Sequence, residues 1–215
     1  MAIMEATYAD GSGANGVGKV AIGAKGEVLT QQMNGRFYYA ARRNRLYVAA
    51  SATAGIAIIV AATGGGHPTL FNPMGSGRIL SIRRLLLGYV SGNNAPTSLA
   101  WNITTGAGAG AATGAAILTF TDVAPVNAMA GGPLDRKMLW APVTNTFTAA
   151  PAYYRPTNLS LFTGVAATAV APFTLGEEYD DDLLISEGTA LSLVAQATTT
   201  TALFRITVLV EEKDK

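Results

Sequence analysis

Near its end the chain alternates strictly, with Ala202, Phe204, Ile206, Val208 and Val210 on one side and Leu203, Arg205, Thr207, Leu209 and Glu211 on the other. Successive side chains of a strand point to opposite faces, so this segment reads as a strand whose even-numbered face lies in a core. Just upstream, residues 189–195 place Leu191 and Leu193 on one face with Ser192 opposite. Ser186-Glu187-Gly188 is a turn joining that strand to Leu183-Leu184-Ile185, and these segments are expected to run as consecutive antiparallel strands. Apolar runs bounded by Gly, Pro and Asn predict further strands at residues 45–49, 56–61, 79–90, 99–104, 117–120, 138–141 and 159–163. A turn through Ser91-Gly92-Asn93-Asn94-Ala95-Pro96 links two of them. Nine or ten short strands, and no helical run of ten residues after position 45, predict an all-β fold. The expected architecture is an antiparallel β-sandwich of jelly-roll type.

The first part of the chain has a different pattern. Glycines at 11, 13, 16, 18, 23 and 26 alternate with scattered apolar residues, too few to bury a core, so this segment is expected to be an extended arm ordering against a partner. Its anchoring residues would be Ile3, Met4, Tyr8, Val17, Val20 and Ile22, with Arg42 and Arg43 adding charge further along. Residues 35–44 predict one short helix, with Phe37, Ala40 and Ala41 on one side and Asn44 closing its end. The expected division is an arm with helix over 1–44 and a sandwich body over 45–215. Residues 105–114 are built from Gly, Ala and Thr and suit an exposed loop or a tight contact between chains.

Composition narrows the function. Of 215 residues 49% are apolar and only 13% charged, against roughly 25% charged in an average soluble domain. Part of such a surface is expected to be covered by other protein chains. A net charge of +1 gives no field for gathering phosphates, so neither nucleic acid nor an anionic membrane is expected as a partner. Residues 46–66 carry no charge, but Ser51, Thr53 and Thr63 interrupt them and Gly64-Gly65-Gly66 ends them, and two short strands are expected there rather than a membrane span. The absence of cysteine excludes disulfides and thiolate chemistry and fits folding in a reducing cytoplasm. The N-terminus lacks the pattern of a secretion signal, and the chain is expected to be used unprocessed.

No motif carries a catalytic expectation. Gly13-Ala14-Asn15-Gly16-Val17-Gly18-Lys19-Val20 approaches a phosphate-binding loop, but Val20 stands where magnesium needs a hydroxyl. Gly11-Ser12-Gly13-Ala14-Asn15-Gly16 matches a dinucleotide fingerprint by spacing alone. His67, the single histidine, sits in a glycine-rich loop and is expected at the surface, outside any metal site or triad. Glu177-Glu178-Tyr179-Asp180-Asp181-Asp182 does not have EF-hand spacing. It is expected to be a solvated loop or an interchain partner for Arg42, Arg43 and Arg45. The expectation is therefore no enzyme, no cofactor and no resident metal.

Gly35-Arg36-Phe37-Tyr38-Tyr39-Ala40-Ala41-Arg42-Arg43, Phe71-Asn72-Pro73 and Gly75-Ser76-Gly77-Arg78-Ile79-Leu80-Ser81-Ile82 form a set with Gly88-Tyr89-Val90-Ser91-Gly92. With Asp182-Leu183-Leu184-Ile185 and Thr189-Ala190-Leu191-Ser192-Leu193, the chain resembles structural proteins of tailed phages, in the style of jelly-roll capsid decoration, or cement, proteins. The resemblance implies a virion component on the capsid exterior, made in the host cytoplasm. It also implies a homo-oligomer, a trimer, whose arm binds the major capsid protein. A tail, fibre-base or head-to-tail connector protein shares the same composition. A carbohydrate-binding sandwich is a further alternative if Trp101, Trp140, Tyr153 and Tyr154 are exposed together.

Overall fold

The alternation at the C-terminus sets the architecture. In the computed structural model, which describes residues 4–9, 15–20, 37–64, 66–92, 97–105, 117–161, 173–197 and 202–215, Ala202, Phe204, Ile206, Val208 and Val210 are all completely buried. Their strand pairs along its length with the segment expected to be the longest strand. In chain order the elements are β1 (Met4–Ala9), β2 (Asn15–Val20), α1 (Tyr38–Arg42), β3 (Leu46–Ala50), β4 (Ile56–Ala57), β5 (Thr69–Asn72) and β6 (Arg78–Ser91). There follow β7 (Thr97–Thr105), β8 (Ile117–Phe120), β9 (Val126–Asn127), β10 (Leu139–Ala141), β11 (Asn145–Phe147) and β12 (Ala152–Leu161). The last four are β13 (Thr174–Glu178), β14 (Leu184–Ile185), β15 (Thr189–Ala195) and β16 (Leu203–Asp214).

Two antiparallel sheets form the body. The first has the order β13-β6-β16-β3-β9, with β14 also on β6 and β4 also on β16, and the second has the order β10-β5-β15-β7-β12. Leu80, Ile82, Leu85, Leu87, Phe204, Ile206 and Val208 of the first sheet share one core with Leu70, Leu99, Trp101, Leu191 and Leu193 of the second. The molecule is thus an all-β sandwich, with a single short helix among the described residues. That helix ends as its sequence requires: Asn44 adopts φ 56°, a left-handed conformation that Asn tolerates, and Arg45 N donates to Ala40 O at 2.9 Å.

Several expectations are corrected. β14, β15 and β16 are not neighbours: β14 lies on β6, β15 lies between β5 and β7, and β16 lies between β6 and β3. The turn at Ser186-Glu187-Gly188 hands the chain from one sheet to the other, where local pattern suggested a hairpin. Residues 56–61 yield only the two-residue β4 and an isolated bridge from Val60 to Ala195. β12 begins at Ala152, seven residues before the expected strand, and residues 162–163 lie outside the described part, as do 93–96 and 106–114 of the expected turn and loop. β5 and β13 were not foreseen. β5 has only four residues between Pro68 and Pro73, and β13 carries Gly176 and two glutamates, so both look like loops until β15 and β6 pair with them.

Ser192 is buried although it faces away from the core, because the chain itself covers the outer face of the second sheet. β8 and β11 pair with each other, and Phe120 and Phe147 of this pair reach ring contacts, both 5.8 Å, with Phe71 and His67. Beneath them Thr69 Oγ1 and Ser192 Oγ are 2.8 Å apart, and Asn145 Nδ2 donates to His67 O at 2.6 Å.

Placing a polar side chain in the core costs about 1–3 kcal/mol or more, on top of lost packing. Ile206→Asn is therefore expected to lower stability by about 3 kcal/mol or more in thermal and urea unfolding, whereas Thr207→Asn, on the opposite face, changes it by less than about 1 kcal/mol. Equal losses would mean that the faces of β16 are assigned wrongly.

Candidate assembly surface

The residues expected to bind a partner fall into two groups. β1 and β2 form an antiparallel hairpin with the register Met4↔Val20, Ala6↔Gly18 and Tyr8↔Gly16, alternating with Glu5↔Lys19 and Thr7↔Val17. The segment read as an extended arm thus contains a hairpin. Met4, Tyr8, Val17 and Val20 lie in these two strands. Ile3 and Ile22 lie outside the described residues. Arg42 and Arg43 are exposed at the end of α1, and Arg43 borders a cleft of about 230 Å³ with Asn44, Arg45, Arg78, Pro133, Asp135 and Glu212. Asn15–Val20, the end of the near P-loop, is strand β2 rather than a loop leading into a helix.

The acidic run is not a loose solvated loop, and Arg45, one of its expected partners, has another within the chain. Arg45 pairs with Asp214 at 2.6 Å. Within the acidic run, Glu178 pairs with Arg84, Asp182 with Arg155, and Asp181 with both Arg83 at 2.6 Å and Lys213 at 2.5 Å. Burial pushes the Asp181 carboxyl up, but Lys213, Ser81 and Arg83 outweigh it and hold it well below the usual carboxylate range. Glu177 is buried and accepts from Asn158 N at 3.1 Å, Asn158 Nδ2 at 3.0 Å and Tyr179 OH at 2.8 Å. Tyr179 OH in turn accepts from Trp101 Nε1 at 2.9 Å. This chain of bonds ties β12 to β13 and closes one flank of the sandwich. Among the described residues no three His, Asp or Glu side chains gather as a metal site.

His67 is also not where its glycine-rich surroundings suggested. It is completely buried, with Nε2 3.2 Å from Ala62 N and 3.1 Å from Ala62 O and its ring packed near Phe147. Among the described residues no hydroxyl or carboxylate partners its ring, and burial pushes its pKa down. Trp101 and Trp140 are core residues, while Tyr153 and Tyr154 are exposed on the edge strand β12. The four aromatics therefore form no common surface on which a sugar could stack. Among the described residues no helix is long and apolar enough to cross a membrane.

A surface that the sequence did not single out lies on the other flank. Between β8 and β10 the chain leaves the outer layer, joins the first sheet as β9 beside β3, turns, and returns to the second sheet as β10. Along this excursion Val123, Val126, Met129 and Leu134 are exposed, with Leu118 and Val143 exposed on the adjoining outer layer. Leu118, Val126 and Leu134 keep 64%, 56% and 62% of their surface. The polar groups of the excursion are already partnered within the chain. Asn127 donates to Pro133 O at 3.1 Å and accepts from Met129 N at 2.8 Å. Asp122 accepts from Trp140 N at 2.8 Å and pairs with Arg136. Tyr47 OH donates to Asp135 O and Trp140 Nε1 to Ala50 O, both at 3.0 Å. The turn is tight: a Cβ on Gly132 would lie 2.6 Å from Asn127 Cγ. The flank is therefore fixed in shape and offers mainly apolar side chains. The sequence signal was the near absence of charge from Arg84 to Leu134, interrupted only by Asp122.

Comparison with protein-family models, with curated proteins and with solved structures finds no match for this chain.

Because the fold holds the His67 imidazole neutral, the unfolded chain binds one more proton as pH falls below the ordinary value of 6.5. Stability contributed by His67 is fully present above pH 6.5 and is lost progressively below it. The urea midpoint is expected to fall between pH 7 and pH 5, and this part of the fall is absent in His67→Gln. An unchanged pH profile in that variant would remove His67 as its cause.

Proposed function

We propose that this protein is a structural component of a virus particle, a capsid decoration protein that binds the major capsid protein and reinforces the head from outside. The β body self-associates as a trimer, and the N-terminal segment with Arg42 and Arg43 grips the shell. The observation that carries the reading is the apolar flank at Val123, Val126, Met129 and Leu134, whose polar groups are already bonded within the chain, on a molecule with few charges. Exposed apolar patches of this kind mark protein contacts. The strand order supports the jelly-roll wiring of such proteins. Numbering the eight principal strands β3, β5, β6, β7, β12, β13, β15 and β16 from one to eight gives sheets 1-8-3-6 and 2-7-4-5, two interleaved four-stranded sheets.

Function in this reading is mechanical. Area buried between the decoration protein and neighbouring capsomers stabilises the assembled state over the separated one, by mass action. Burial of Trp101 and Trp140 weighs against the carbohydrate-binding alternative, since neither is available for stacking.

Removal of residues 1–26 is expected to leave the body folded and oligomeric but to weaken attachment to purified capsids by at least about tenfold, a loss of about 1.4 kcal/mol or more. Co-sedimentation with capsids checks this. Undiminished binding of the truncated chain would place attachment on the sandwich itself.

A further inference from the structure

We infer that the layer between the second sheet and the β8–β11 pair is a binding site for internal water, which bridges polar groups of the sheet to polar groups of its cover. The register builds this layer. Thr69 lies opposite Ser192 and Ser192 opposite Asn102, so the three side chains stand in one row on the face turned away from the core. Thr104, two residues beyond Asn102 on β7, points to the same side. From the cover, Asn145 Nδ2 reaches His67 O at 2.6 Å and Thr69 Oγ1 at 3.3 Å. Pro151 O, between β11 and β12, accepts from Asn102 Nδ2 at 2.8 Å. Thr69, Ser192, Asn102, Thr104, Asn145 and His67 are all buried.

Four buried side-chain atoms among the described residues have no hydrogen-bond partner within the protein, and all four belong to this layer: His67 Nδ1, Asn102 Oδ1, Thr104 Oγ1 and Asn145 Oδ1. The two amides cannot cure this by turning over. Their Nδ2 groups are held by the Pro151 and His67 carbonyls, so a flip would set oxygen against oxygen. Burying a polar atom unbonded is costly, and protein interiors meet that cost with ordered water that makes about three bonds to such groups. The needs of these four atoms fit water in particular. The amide oxygens only accept, and the Thr104 hydroxyl donates or accepts. His67 Nδ1 accepts if Nε2 donates to Ala62 O, and donates if Nε2 accepts from Ala62 N. Water supplies both kinds of partner. A metal cation accepts no hydrogen bond, and none of the six side chains is a carboxylate that would offset its charge. The cover is therefore held by bridging water as well as by the ring contacts of Phe120 and Phe147.

High-resolution diffraction from crystals of the full chain tests this. Ordered water is expected within about 3.2 Å of both Asn102 Oδ1 and Asn145 Oδ1. Empty density beside these oxygens would overturn the inference, as would a peak ringed by oxygens at about 2.3–2.6 Å, the mark of a cation. Melting of Thr104→Val gives a second reading, through its sign. Val keeps the branched shape of Thr and removes the hydroxyl. If Thr104 Oγ1 bonds water, Val strands that water, and the melting temperature is expected to fall by at least about 2 °C. If the hydroxyl is buried dry, Val relieves it and the melting temperature rises. A melting temperature that is level or higher in Thr104→Val would therefore also overturn the inference.

Discussion

β16 pairs with β6 from Leu203↔Ser91 to Asp214↔Arg78, the longest ladder among the described residues, and the other parts of the first sheet are arranged around it. β3, β4 and β9 extend it on one side and β13 and β14 on the other. The ladder is not regular. Leu209 faces Arg84 and Val210 faces Ile82, so Arg83 bulges out of the pairing. Leu80 and Ile82 are buried before the bulge and Leu85 and Leu87 after it, a change of phase that an uninterrupted alternation could not produce. The bulge also brings Arg83 between Glu211 and Asp181, with Nε 2.7 Å from Glu211 Oε2, so the residue that breaks the ladder is held by charge from two other segments.

The same logic governs two further carboxylates. A buried polar atom without a partner costs on the order of 1–3 kcal/mol. Here Glu212 accepts from Lys137 N and Met138 N, both at 2.7 Å, while Glu177 accepts from Asn158 and Tyr179. Glu212 ties a peripheral segment to the central strand β16, and Glu177 joins the two edge strands β13 and β12. Charges that composition made scarce are concentrated on closing the sandwich, and the flank around Val126 is left almost without them.

What the sequence made legible was periodic. The faces of β16, the extents of β8 and β15 and the closure of α1 by Asn44 all follow from local pattern and local conformation. What it hid depends on contacts between distant segments. Ser192 is covered by the layer containing Asn145, 47 positions earlier in the chain. His67 looked exposed because glycines precede it, yet Ala62 and Phe147 enclose it. The carboxylates of residues 177–182 looked like a solvated run because their partners, Arg83, Arg84, Arg155 and Lys213, come from three other strands. The apolar flank was missed for a related reason: Val123, Val126, Met129 and Leu134 show no strand or helix period, and the excursion between the two sheets leaves each of them exposed.

Interior and rims thus follow from one division of labour, in which central ladders hold the core and carboxylates close the rims. Amide hydrogen exchange under native conditions tests the first part most directly. The amides that bond β16 to β6 are predicted to exchange last, at the rate set by global unfolding, while those of α1 and the rim strands exchange earlier through local opening. Exchange of the β6 and β16 amides while those of β15 and β7 stay protected would contradict it, because the second sheet would then persist without the ladder on which the fold is said to depend.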